Sequence, residues 1–111
     1  MTAPAYLCRT YAQGSTNGQR PRAHVIVVGA ESKAEALKSA VKAAGGFKAL
    51  GSAIKPDQIE ARYADTLRLY GVEPLIVRFK NGPGPYVRTV NRITLEMLRK
   101  ELNPTSVENN A

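Results

Sequence analysis

Acidic residues are scarce in this chain: nine Asp and Glu stand against sixteen Lys and Arg, for a net charge of +7. There is a single cysteine, Cys8, which rules out an intrachain disulfide and a cysteine-based metal site and suits a reducing compartment. There is also a single histidine, His24, at the head of the most apolar segment, where a structural role fits better than a general base. The acids sit mostly beside bases on helix faces and do not converge as a pair, so acid–base catalysis has no team. No window approaches the roughly 18 apolar residues of a membrane span. The opening MTAPAYLCRT lacks the basic-then-apolar order of a signal peptide. The expectation is a cytoplasmic protein that is not an enzyme and uses no metal or cofactor.

The positive charge is unevenly spread. Residues 1–30 hold Arg9, Arg20 and Arg22 and no acid, and residues 72–92 hold Arg78, Lys80, Arg88 and Arg92 against Glu73 alone. The middle of the chain nearly balances, and the last stretch is slightly acidic. Arginine suits phosphate contacts because its planar fork donates two parallel hydrogen bonds.

The clearest structural statement is Arg22 to Gly46, RAHVIVVGAESKAEALKSAVKAAGG. His24 to Val28 is an apolar, β-branched run that reads as a central strand covered on both faces or nearly so. Gly29 ends it, and Ser32 with Glu35 has capping-box spacing. Ala34, Leu37, Val41 and Ala44 then predict an apolar helical stripe, closed by Gly45-Gly46. GAESK lacks the glycine–lysine spacing of a phosphate loop.

Around that unit, AYLCRTY over Ala5 to Tyr11 predicts a first strand, followed by the turn-rich loop AQGSTNGQRP. Phe47, Leu50 and Ile54 suggest a short second helix weakened by Gly51. Pro56 begins a third, with Ile59, Tyr63, Leu67 and Tyr70 on one face, routine Arg62–Asp65–Arg68 pairs on the other, and Gly71 as its stop. Leu75 to Lys80 alternates as a half-buried strand with a basic outer side. NGPGP is a turn, Tyr86 to Val90 a fourth strand, and Ile93 to Leu102 a last helix. The expected fold is α+β, two-layered, a four-stranded mainly antiparallel sheet with helices on one face, in the order ββαααββα. It is expected to fill residues 1–103, with a disordered polar tail over 104–111.

The stretch AVKAAGGFKALGSAIKPDQIEARYA superficially resembles the opening of Cro-type helix-turn-helix domains. Its second helix would turn Asp57, Glu60 and Asp65 toward phosphates and its turn is a residue short, so nothing is carried over from that family. The two ends of the chain also share the order strand, Gly-rich turn, strand, helix. Two such hairpins in one sheet would leave an open face carrying Arg9, Arg78, Lys80 and Arg88.

Two functions follow as expectations. In the first, a small nucleic-acid-binding protein meets phosphates of DNA or RNA with Arg9, Arg20, Arg22, Arg78, Lys80 and Arg88, while Tyr6, Tyr11 or Tyr86 stacks on bases. The alternative is a protein-interaction module, a small regulator or inhibitor such as a phage or other mobile element encodes, that binds an acidic surface of a partner protein.

Overall fold

The structure, a computed structural model, describes residues 4–14, 20–81 and 88–102. Five strands and three helices follow in the order β1 (Ala5–Tyr11), β2 (Ala23–Val28), α1 (Lys33–Ala44), β3 (Lys48–Ile54), a 3₁₀ turn (Pro56–Gln58), α2 (Ile59–Tyr70), β4 (Leu75–Asn81), β5 (Arg88–Ile93) and α3 (Leu95–Leu102). All five strands form one mixed sheet in the order β3-β1-β2-β4-β5. β1 runs antiparallel to β2 and β3, β2 parallel to β4, and β4 antiparallel to β5.

The fold is α+β, and the two hairpins do share a sheet through the β2–β4 pair. The expected single helical layer is corrected, because helices cover both faces. Val25, Val27 and Val77 pack with Cys8 under Ala36 and Ala40 of α1. Their neighbours Ile26, Val28 and Ile76 turn the other way, onto Ile59 of α2 and Leu98 of α3. The physical reason is that β2 and the start of β4 are apolar at consecutive positions, and successive side chains point to opposite faces. One covered face would have left Ile26 and Ile76 in water.

The second helix expected from Phe47 to Ile54 is instead β3, an edge strand paired with β1. Its sequence explains the outcome. Gly51 is a poor helix residue and lies opposite Cys8, where a Cβ would stand 2.7 Å from the Leu7 carbonyl oxygen. The helix-turn-helix likeness needed this segment as a helix, and it goes with it.

Helix faces also turn out differently. At α1 the hydroxyl of Ser32 accepts from the Glu35 amide at 3.2 Å, and Gly45 closes the helix at φ 76°. The buried residues are Ala36, Ser39 and Ala40, with Leu37 and Ala44 at the margin, while Ala34 of the expected stripe is exposed. Small side chains let the helix axis approach the sheet closely, so alanine and serine, not valine, take the centre of the contact. On α2, Ile59 and Thr66 are buried, and Leu67 of the expected face is exposed. The last helix starts at Leu95, because Ile93 completes β5 and the Thr94 hydroxyl accepts from the Met97 amide at 3.2 Å as the cap. The NGPGP turn beyond Asn81, the centre of the first loop and the 104–111 tail lie outside the described residues.

Candidate binding groove

The arginine-rich face expected from the sequence is open only in part: Arg9 and Lys80 are exposed and Arg78 is partly covered. Arg9 lies opposite His24 and Arg78 beside Val28, so both turn toward the face that α2 and α3 cover. Four residues along β2 and one strand to each side of it separate the two, roughly 16 Å. Arg78 is ion-paired with Glu101 of α3 and only 24% exposed. Lys80, two residues on, is exposed near the end of β4. Arg20 is exposed ahead of β2. Arg22 is exposed and reaches the end of α1, where its Nε donates to the Ala44 carbonyl at 3.4 Å. Arg88 opens β5, in register with Asn81, and Tyr86 lies outside the described residues. Tyr6 packs on the α1 side of the sheet, and Tyr11, five positions on in the same strand, takes the opposite side.

A different surface comes together beside α1. That helix lies mainly over β3, β1 and β2, which leaves its face of the sheet more open above β4 and β5 among the described residues. Register places Arg92 beside Val77 and Val90 beside Phe79, all four on the α1 side. The result is a cleft of ≈ 560 Å³ lined by Lys42 and Ala43 of α1 and by Thr89, Val90, Asn91 and Arg92 of β5. Val90 is 40% exposed there, a large apolar side chain in a cleft that also holds two cations. β5 is the last strand of the sheet, so its outer backbone edge has no strand partner among the described residues.

Electrostatics at the floor of this cleft follow from the helix end. The Arg92 guanidinium donates to the Ala43 carbonyl, next to the Ala44 carbonyl that Arg22 meets. A helix C-terminus carries partial negative charge and unpaired carbonyls, and it attracts cations. Arg92 nevertheless stays exposed, Lys42 stands within the same turn, and none of the described residues that line the cleft is acidic. Several acids are engaged elsewhere: Glu60 with Arg99 at 2.6 Å, Asp65 with Arg68 at 3.4 Å, and Glu101 with Arg78. The arrangement can hold an anionic group above an apolar floor. Sequence reasoning counted Arg92 in the charge map but did not single it or Lys42 out. Their meeting depends on β5 running beside the end of α1, which no local pattern encodes.

Neither singular residue builds a chemical site. Cys8 is fully buried and burial pushes its thiol up to about 11, so it stays protonated at neutral pH. His24 is 6% exposed, stacks on Tyr70 with ring centroids 4.3 Å apart, and its Nε2 has no hydrogen-bond partner. Burial first, and the Arg9 charge second, lower its pKa and favour the neutral ring. Among the described residues no group of three or more His, Cys, Asp or Glu side chains is placed to hold a metal ion, and no helix is long and apolar enough to cross a membrane. No family model matches the chain, and neither does any curated protein or solved structure.

Proposed function

We propose that this is a protein-interaction module that takes an acidic partner in the groove between α1 and β5. The observation that carries the reading is the cleft itself, which brings Lys42, Arg92 and exposed Val90 together beside a strand edge with no partner among the described residues. A strand edge offers backbone donors and acceptors to another polypeptide, and Val90 offers apolar area. Phosphates need neither. Of the four bases expected on one open sheet face, Arg78 is ion-paired with α3, while Arg9 and Lys80 are exposed on the side that α2 and α3 partly cover.

Nucleic-acid binding stands as a second reading because Arg20, Arg22, Lys42 and Lys48 gather at one end of the sheet. Lys48 lies opposite Tyr11, the Arg22 amide donates to the Thr10 carbonyl at 2.6 Å, and α1 ends beside them.

Fluorescence anisotropy separates the two. A labelled glutamate-rich peptide and a labelled single-stranded oligonucleotide are titrated over a salt series with the wild type and with Lys42→Glu. The proposal expects peptide binding that weakens at least tenfold in Lys42→Glu, with the oligonucleotide released by about 150 mM salt. Oligonucleotide binding that survives there with a steep salt slope, and no peptide binding, would reverse the order of the two readings.

A further inference from the structure

We infer that the partner presents an extended acidic strand that adds to the outer edge of β5 and turns its α1-side residues toward Val90 and Arg92 at the rim of the groove. The inference rests on the acidic-partner reading above and specifies the shape and pattern of what binds.

The edge is long enough for the task. β5 has six residues, so at roughly 3.3 Å per residue it presents about 20 Å of backbone, the length of an ordinary strand. Its side chains alternate: Val90 and Arg92 face the α1 side with Lys42 nearby, while Thr89, Asn91 and Ile93 face the other way. An added strand alternates in the same sense. Its residue beside Val90 is then apolar, its residue beside Arg92 is acidic, and the two are separated by one position whose side chain turns to the opposite face. The partner segment is therefore an apolar residue and an acid two apart in an extended stretch.

Charge selects this occupant over a second copy of the chain. Two β5 edges placed together would set Arg92 and Lys42 of one copy near the same cations of the other, in molecules that each carry +7. Edge strands commonly bear charge as protection against unwanted pairing. Here the protective charge has one sign, so it repels cationic and identical edges and admits an acidic one.

The test uses the full chain and four end-blocked heptapeptides: Thr-Glu-Thr-Val-Thr-Glu-Thr, the same peptide with lysine for both glutamates, and the glutamate peptide carrying N-methyl groups on alternate amides in each of the two registers. Affinity is read by anisotropy and site by amide hydrogen exchange over residues 88–93. The expected result is that the glutamate peptide binds and protects β5 amides, the lysine peptide does not bind, and one of the two N-methylated registers binds at least tenfold more weakly. Equal binding by both N-methylated peptides would overturn strand addition while leaving the acidic-partner reading in place. Failure of every peptide, with an oligonucleotide protecting the same amides, would remove both. Sedimentation as a dimer with β5 amides protected before any peptide is added would assign the edge to a second copy and overturn the inference.

Discussion

Arg22 and Arg92, far apart in sequence, donate to consecutive carbonyls at the C-terminus of α1, Ala44 and Ala43. One guanidinium comes from the lead-in to β2 and the other from β5, so the end of a single helix ties together the central strand and the edge strand of the sheet. The same two side chains concentrate positive charge beside Lys42, and a helix cap thereby doubles as one wall of the groove.

Two cations on adjacent carbonyls also repel each other, and that makes the cap measurable. Arg22→Met and Arg92→Met should each cost about 0.5–1 kcal/mol in urea unfolding at low salt, the range for a cation at an exposed helix end. Each single change relieves the mutual repulsion as well as losing an attraction. The double variant should therefore cost more than the two singles together by a few tenths of a kcal/mol. Strict additivity would show that the two guanidinium groups do not sense one another.

Gly51 predicts the sharpest backbone effect. A methyl group there would stand 2.7 Å from the Leu7 carbonyl oxygen and 3.0 Å from the Cys8 sulfur, and neither neighbour can retreat from the centre of the β1–β3 pair. Gly51→Ala should destabilise the fold by about 1–3 kcal/mol. Ser52→Ala, next to it and exposed, should stay within about 0.5 kcal/mol. Equal unfolding midpoints for the two variants would show that β3 can shift away from β1.

His24 predicts a dependence on acid. Its folded pKa lies below the unfolded value near 6.5, because burial and Arg9 disfavour the charged ring. The unfolded chain then binds the extra proton first. Stability should be full above about pH 6.5 and should decline as pH falls through the window between the unfolded and folded values. His24→Phe keeps an aromatic ring against Tyr70 and should flatten that part of the profile. Between pH 7.5 and pH 5 the urea midpoint of the wild type should fall relative to that of His24→Phe, and parallel curves would mean that other groups carry the decline.

Where sequence reasoning succeeded and where it failed have physical causes. The strand–cap–helix unit from Ala23 to Gly45 was legible because each signal in it is local: β-branched residues, the Ser32 hydroxyl within reach of Glu35, and a glycine at φ 76°. The last strand and helix were displaced because Ile93 serves the sheet, a choice made by its pairing with Ile76. Phe47 to Ile54 was misread because its strand character is supplied by β1, and Gly51 could be interpreted only with Leu7 and Cys8 in view. The basic face formed only in part for a related reason. Alternation in β4 correctly separates Val77 from Arg78, but that α3 covers and pairs Arg78 shows only in the assembled fold. The groove could not be read at all, since Lys42 and Arg92 meet only after the chain has crossed the sheet.

Arg78 distinguishes a binding role from a structural one, and the distinction governs how a loss of binding should be read. Its side chain is mostly covered, paired with Glu101, and its Nε is buried without a hydrogen-bond partner, so the ion pair is what compensates the charge. Arg78→Glu would set two carboxylates against each other in partial burial and should destabilise the fold by about 2 kcal/mol, below the 3–5 kcal/mol of fully buried pairs because both groups retain some water. Lys80→Glu, exposed two residues on, should leave stability within about 0.5 kcal/mol. Reversing the pair, Arg78→Glu with Glu101→Arg, should recover at least half of the loss. Urea midpoints for the wild type and the three variants decide the matter: recovery in the reversed pair assigns Arg78 to the contact between β4 and α3, and any binding defect of Arg78→Glu alone then reports folding. No recovery would mean that the cost arises from burying a carboxylate at that position of β4, whatever stands opposite on α3.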